Sequence, residues 1–479
     1  MRLRLITLFI CAICAFALST ETKAESKQPK YVFYLITDGT GVNTLLGAEM
    51  MQAELQGFIG RVPLCVSQFP VTSIASTHSF SHGITDSAAS GTALATGKKT
   101  RNGMIGEDPD STNVYSVAVW AKQAGRRVGV ATSVNVNHAT PAAFYAHNDS
   151  RNNYYEIAAQ AAQAGFDFYG GSDFHKPTDK KNPEAPSAYE IAEKAGYTIA
   201  RGYDDYLKKA KKAERMILFQ PEPWAKVDPY SLPYYIDAKP GDMTIPQVMR
   251  AQLDFLAKDL SKGFLLVNEI GGKVDMACHS NDGATAFREV AAMDSCAKIA
   301  YEFYKQHPDE TLIVFTSDHE TGGLVLAKDG SGNRLNMKVL ANQKCSQDGL
   351  TRVFQKLRSQ TNNNVTWEQV KEALRENLGF WDAVKLNERE EKKLKDIHRR
   401  SFEGKMPNED NLYSSSEPMA AEAVRIINAK AQISWATGGH SAGLVPVYAC
   451  GVGAEEFMGH NDNASIPMKI ARIAGYLKE

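Results

Sequence analysis

The sequence predicts an α/β fold: a doubly wound, mostly parallel central sheet with helices on both faces. Three observations predict it. Continuous apolar, β-branched and aromatic runs, of the kind buried on both faces, recur between stretches of helical periodicity. Acidic residues and histidines follow directly on those runs. Asp38 follows one, Glu269 and then Asp275 follow a second, and Asp318 and His319 follow a third. Such sheets gather function at the carboxyl ends of their strands, so these residues are expected to converge on one site. A chain of 479 residues, 43% hydrophobic and 23% charged, has ample material for a large core.

Residues 31–37 (YVFYLIT) read as the first buried strand. Residues 38–41 (DGTG) form a turn that opens a helix through Leu55. Residues 116–124 read as helix and 127–132 (RVGVAT) as strand. A helix over 247–260 has Thr244 as its cap and Pro246 in its first turn. Residues 263–268 (GFLLVN) read as strand, 284–306 as helix and 311–317 (TLIVFTS) as strand. Residues 152–243 read as a peripheral elaboration. Residues 328–416 are polar, with clusters such as KDGSGN and SQTNNN, and carry helical stretches at 367–378 and 387–400. They read as an inserted cap or crown. The charge run at 388–395 reads as a solvated helix face.

The N-terminus reads as a secretory signal peptide. Arg2 and Arg4 precede an apolar run from Leu5 to Leu18, and small residues at Ser19 and Ala24 offer cleavage points. The run is shorter than a spanning helix requires. A periplasmic or secreted protein with no membrane span after cleavage is expected. A net charge of −1, without a polybasic block, excludes nucleic acid and a charged membrane surface as partners. Five cysteines lie outside the segment. Their odd count and lack of a CxxC pair specify no disulfide, and Cys278 reads as a small buried residue.

Residues 84–92 (ITDSAASGT) place Ser87 behind Asp86 at the head of a small-residue run that suits a helix start. Asp and Ser are ordinary helix caps. A serine there also meets unpaired N–H groups and the positive end of the helix dipole, which suits a nucleophile carrying a phosphate. Asp275 and His279 are four apart, so one helical turn can aim both at one metal. Asp318 and His319 are adjacent at a strand end, and His440 sits in a glycine-rich turn (ATGGHSAG). With Asp38 these supply three carboxylates and three imidazoles, a set suited to two zinc ions. Two zinc ions about 4 Å apart can activate a serine hydroxyl and stabilise the leaving oxygen. Arg151, whose guanidinium fork matches two phosphate oxygens, is the candidate clamp.

Taken together, these motifs closely resemble the alkaline phosphatase family. The family's serine signature is matched by Ile84 to Thr92, and its first-strand Asp-Gly-x-Gly by Asp38 to Gly41. The Ala-Thr-Pro-Ala-Ala segment and the arginine that follows it are matched by Ala139 to Arg151. The two metal motifs fall at Asp275/His279 and Asp318/His319, and the last histidine at His440. The resemblance implies a phosphomonoesterase with Ser87 as nucleophile and Arg151 on the phosphate. It implies one zinc on Asp275, His279 and His440, and a second on Asp38, Asp318 and His319. A third site, for magnesium, would use Asp38, Thr140 and a glutamate. It also implies a homodimer acting on small phosphate monoesters, with a catalytic domain over 25–327 and 417–479. The signal peptide (1–24) precedes that domain and the crown (328–416) interrupts it.

Three residues depart from the family pattern. Glu269 lies six residues before Asp275, where five are expected, and Ile270 holds the expected slot. His138 stands where some members carry an aspartate beside the magnesium, and imidazole suits zinc better. Met276 stands where some members carry a phosphate-holding lysine. A looser grip on phosphate and a weaker magnesium requirement are expected. The alternatives are a phosphodiesterase or sulfatase of the same superfamily, or an exported phosphate- or metal-binding protein. Arg151 leaves little room for a second ester group, a sulfatase uses a different nucleophile motif, and the intact Ser87 disfavours a mere binder.

Overall fold

Every residue of the first strand, β1 (Tyr31–Ile36), is buried, and its side chains divide between two cores. Tyr31, Phe33 and Leu35 enter one core, while Val32, Tyr34 and Ile36 enter the other. A strand with period-two side chains and apolar residues at every position needs cover on both faces, so helices pack on each. The structure is a computed structural model and describes residues 28–402, 407–410, 413 and 415–477. The expected signal segment lies outside the described residues. Among the described residues no helix is long and apolar enough to cross a membrane.

The remaining strands of the main sheet are β2 (Val71–Ser76), β3 (Arg127–Thr132), β4 (Phe168–Gly171), β5 (Tyr197–Arg201) and β6 (Arg215–Phe219). They continue as β7 (Phe264–Glu269), β8 (Thr311–Thr316), β9 (Val445–Gly451) and β10 (His460–Asp462). Their order across the sheet is β10-β2-β9-β8-β1-β7-β3-β4-β6-β5. All run the same way except β9, which is antiparallel to both neighbours. The doubly wound, mostly parallel sheet expected from the sequence is present. Residues 152–243 do more than decorate it, because β4, β6 and β5 extend the sheet at one edge.

The helices that matter for the site are α1 (Val42–Leu55), α2 (Ser87–Thr96), α3 (Ala139–Ala142), α4 (Ile245–Leu256), α5 (Gly272–His279) and α6 (Gly283–Gln306). Thr244 caps α4 with a reciprocal Gln247 contact, and Pro246 lies in its first turn. Residues 328–416 carry the helices Gln347–Gln360, Trp367–Leu378 and Glu388–Ser401. Leu350, Phe354, Leu374 and Leu394 from that stretch are buried in the same core as Phe33 and Leu35. The five cysteines outside the N-terminal segment are free thiols, and Cys278 is buried.

Candidate active site

The register of the sheet brings the site together. Ile36 is paired with both Glu269 and Thr316, and Glu269 with Thr132, so β1, β3, β7 and β8 end in one row. The residues just past that row are Asp38 from β1 and Asp318 and His319 from β8. Glu269 closes β7 itself, so the strand ends one residue later than the sequence suggested. The six-residue spacing to Asp275 therefore still leaves a carboxylate at the strand end. Glu269 turns toward the site, Ile270 turns into the core, and α5 starts at Gly272. Asp275 and His279 then stand one turn apart on α5, with His279 Nε2 3.4 Å from Asp275 Oδ2.

Turning the chain after β1 requires Gly39. Its φ is +69°, and a Cβ there would lie 2.4 Å from Asp275 Oδ1. The Gly39 N–H donates to Asp318 Oδ1 at 3.2 Å. His440 begins a two-residue ladder with Glu320–Thr321, which sets its ring 3.6 Å from that of His319. His440 Nδ1 bonds the Thr85 carbonyl at 2.8 Å and His279 Nδ1 the Gly438 carbonyl at 2.7 Å. Each imidazole is thus oriented through Nδ1, with Nε2 left facing the site.

Ser87 is the first residue of α2 and is fully buried. Its Oγ is 3.1 Å from His319 Nε2, which in turn lies 3.3 Å from both Asp38 Oδ1 and Asp318 Oδ2. Asp86 caps α2 by accepting from the Ala89 N–H at 3.0 Å. The same carboxylate accepts from Arg151 Nη1 at 3.1 Å, while Arg151 Nη2 meets His138 Nε2 at 3.1 Å. Thr140, on α3, donates to Asp318 Oδ2 at 3.4 Å. His138 precedes α3 and holds Nδ1 4.0 Å from Glu269 Oε1.

Three ligand groups result: Asp38 with Asp318 and His319; Asp275 with His319 and His440; and Asp38 with His138 and Glu269. The first is the set expected for one zinc. In the second, His319 completes the trio, with His279 beside Asp275. The third adds His138 to the expected Asp38 and glutamate. Both carboxylate oxygens of Asp38, Oε1 of Glu269, Nδ1 of His138, and Nε2 of His279 and of His440 are buried without a hydrogen bond. Leaving such atoms unpaired is unfavourable by several kcal/mol each for charged groups, unless a cation completes them.

The charges point the same way. Burial, and then the neighbouring Asp318 and Asp275, push the Asp38 carboxyl well above the usual range. Burial pushes Glu269 up to about 7, against the hydrogen bond from Thr132. Burial and then Arg151 push His138 down to about 3, so it is a neutral donor. Burial would raise Asp275 as well, but the imidazoles of His279, His319 and His440 outweigh it and hold the group ionised. The site is thus a carboxylate-rich pocket suited to cations, with a serine at a helix N-terminus and a guanidinium held by the neighbouring Asp86.

Sequence reading missed two contributors. Asp86 was seen only as the neighbour of Ser87, and no local signal showed that it also holds Arg151. Thr321 donates to Asp275 Oδ1 at 2.5 Å and meets His319 Nδ1 at 3.2 Å, tying two ligands together. It lies in the same short segment as Asp318 and His319, which was the available signal.

A doubly wound α/β sheet carrying such a site fits a metal-dependent hydrolase. The family model for alkaline phosphatase matches residues 29–175 and 227–476. The chain belongs to the alkaline phosphatase family. It is 29% identical over 409 residues to alkaline phosphatase 4 of Bacillus subtilis, covering 82% of this chain and 77% of that one. It is 27% identical over 476 residues to the repressible alkaline phosphatase of Saccharomyces cerevisiae, covering 92% and 79%. Its fold is similar to the cold-active alkaline phosphatase from Shewanella sp., with a TM-score of 0.76 and 26% identity over 94% of this chain and 100% of that one. The Thermus thermophilus enzyme gives a TM-score of 0.75 and 25% identity, covering 96% of each chain.

Proposed function

We propose that this chain is an exported alkaline phosphatase that hydrolyses phosphate monoesters through a phosphoserine on Ser87. The observation that carries the reading is the set of unpartnered carboxylate and imidazole atoms gathered around His319, whose Nε2 lies 3.1 Å from Ser87 Oγ. Asp38, Asp318 and His319 would hold one zinc, and Asp275, His279 and His440 a second. Asp38, Thr140, Glu269 and His138 would hold a third ion, magnesium in the family pattern. When bound, these ions neutralise the phosphoryl oxygens and lower the pKa of the serine hydroxyl and of water.

The chain's own residues do the rest. Ser87 Oγ gives its proton to solvent and attacks phosphorus in line with the ester oxygen, whose bond to phosphorus breaks as that oxygen takes up a proton and leaves as the alcohol. Water then attacks the phosphoserine, the Oγ–phosphorus bond breaks, and inorganic phosphate is released. The first turn of α2 presents backbone N–H groups to the transferred group. Arg151 spans two of its oxygens, a position that its contacts to Asp86 and His138 fix in advance. Residues 1–24 act as the export signal, residues 328–416 form the crown over the catalytic domain, and the enzyme works as a homodimer.

Hydrolysis of p-nitrophenyl phosphate, its bis-ester and its sulfate analogue by zinc-loaded protein tests the reading, with Ser87→Ala as control. A monoester preference that falls at least about a thousandfold in the variant is the expected outcome. Preference for the diester or the sulfate would assign the site to another chemistry.

A further inference from the structure

A cavity of about 580 Å³ opens beside Arg151, His138 and His440. Among Val134, Asn135, Asn152 and Met276, its wall carries aromatic rings from Tyr154, His175 and Tyr230. The Tyr154 and His175 rings meet edge to face at 4.4 Å, and the His175 and Tyr230 rings lie 4.9 Å apart. Tyr154 and Tyr230 belong to neither core of the fold, and Tyr230 is 49% exposed. An exposed tyrosine on a loose loop would mean little, but this loop is clamped. The Tyr230 N–H donates to Asp228 at 2.8 Å, and its carbonyl accepts from Ser172 Oγ at 3.0 Å. Asn135 Nδ2 holds the Pro229 carbonyl at 2.9 Å, and the buried Lys273 ammonium holds Ser231 Oγ at 2.7 Å.

The backbone that carries the other two rings is fixed by one fully buried side chain. Asn137 Nδ2 donates to the carbonyls of Tyr154 and His175, each at 2.8 Å, and its Oδ1 accepts the His175 N–H. Burial, followed by Lys176 and Lys180, pushes His175 down to about 4, so the ring is an uncharged surface at neutral pH. His175 and Tyr230 also flank residues 176–226, the stretch that the family model leaves out. The wall is therefore pre-set, its rings held in place by contacts from several segments of the chain.

We propose that Tyr154, His175 and Tyr230 form a stacking platform for the alcohol half of the substrate, selecting phosphate monoesters whose alcohol carries a flat aromatic ring. The proposal rests on the phosphomonoesterase reading. A planar ring laid on such a wall gains stacking that a glycerol chain cannot, and the gain tolerates different rings because all present a π face.

The test compares kcat/KM for adenosine 5′-monophosphate and for p-nitrophenyl phosphate with that for glycerol 3-phosphate in each protein. Wild type, Tyr230→Leu and Tyr230→Phe are assayed with metals loaded. Tyr230→Leu is expected to lower the adenosine ratio, the p-nitrophenyl ratio or both by about tenfold, and Tyr230→Phe to stay within about twofold of wild type. A fall in the adenosine ratio identifies a nucleoside ring on the platform, and a fall in the p-nitrophenyl ratio a ring borne directly on the ester oxygen. Unchanged ratios in active Tyr230→Leu and in an active Tyr154→Leu/Tyr230→Leu double variant overturn the platform and leave the phosphomonoesterase reading standing. A wild type inactive on all three esters overturns that reading and the platform with it.

Discussion

Asp86 gathers three donors on one carboxylate: the Ala89 N–H that starts α2, the Gly103 N–H, and Arg151 Nη1. It therefore fixes together the helix that starts at Ser87 and the Arg151 guanidinium, the nucleophile and phosphate clamp of the proposed mechanism. Two substitutions separate these roles. Asp86→Asn keeps a capping oxygen and loses the charge that holds the guanidinium, whereas Asp86→Ala loses both. We expect both variants to raise KM for p-nitrophenyl phosphate about tenfold, equivalent to ~1.4 kcal/mol. Only Asp86→Ala should also lose about 1 kcal/mol of stability through the missing cap. Steady-state kinetics and chemical denaturation on the same preparations check this, and an unchanged KM in both would remove Asp86 from the clamp. Gly39 is constrained from the other side. In Gly39→Ala the new methyl meets the Asp275 carboxylate in a backbone conformation that L-residues avoid. At least a tenfold loss of kcat/KM and a lower zinc content per chain are expected, with metal analysis of the purified variant as the measurement.

Much at the level of elements was legible in the chain because strands buried on both faces announce themselves. β1, β3, β7 and β8 are runs of apolar and β-branched residues, and the ends of β1, β7 and β8 carry the acidic residues that made the site visible. Among the strands that were missed, β6 (RMILF) and β9 (VPVYACG) are buried apolar runs with no acidic residue or histidine at their carboxyl ends to draw notice, and the others lack that signature. β2 (VTSIAS) is half polar and partly exposed, β4 has four residues of which two are glycine, and β10 is only His460–Asp462. Such strands are set by their neighbours, which no local pattern records. The same limit hid Asp86 as the partner of Arg151 and the meeting of Tyr154, His175 and Tyr230, all of them contacts between distant segments. Glu289 is a further case. It lies buried on α6 and accepts the Tyr235 N–H at 2.5 Å, which ties that helix to the loop beyond Tyr230. Burial pushes it up to about 7, against the Tyr235 N–H and Lys273. Because the folded state holds this proton more tightly than an ordinary glutamate, its contribution is full below about pH 4.5 and is lost as pH rises through 7. Glu289→Gln keeps the acceptor for Tyr235 and removes the charge. It should match wild type in stability near pH 4.5 and exceed it at pH 8.5 by at most about 3 kcal/mol. Denaturant unfolding at the two pH values measures this, and an equal gain at both would place the effect outside ionisation.

Across the whole molecule, the sheet carries its own electrostatic conflict. Four strands end in one row, and the carboxylates of Asp38, Glu269, Asp275 and Asp318 crowd the centre of the fold with few donors to meet them. With cations bound, those charges become part of what holds β1, β7, β8 and α5 together, because binding to the folded state alone adds to its stability. Without cations they repel. Burial and mutual charge raise Asp38 and Asp318, and burial raises Glu269 to about 7. In the chelated protein, groups with raised folded values are neutral and tolerated at low pH. That tolerance is lost as pH climbs from the ordinary glutamate range, about 4.5, through 7. The loaded protein has the opposite tendency, since protons compete with metal for the same oxygens. We therefore expect EDTA-treated protein to unfold at a lower temperature than loaded protein. The gap should be small at pH 5.5 and wide at pH 8.5, and adding zinc should close it. Thermal melts of both forms across that range decide the matter. A gap that stays constant with pH would mean that the carboxylate cluster does not govern how metal and fold are coupled.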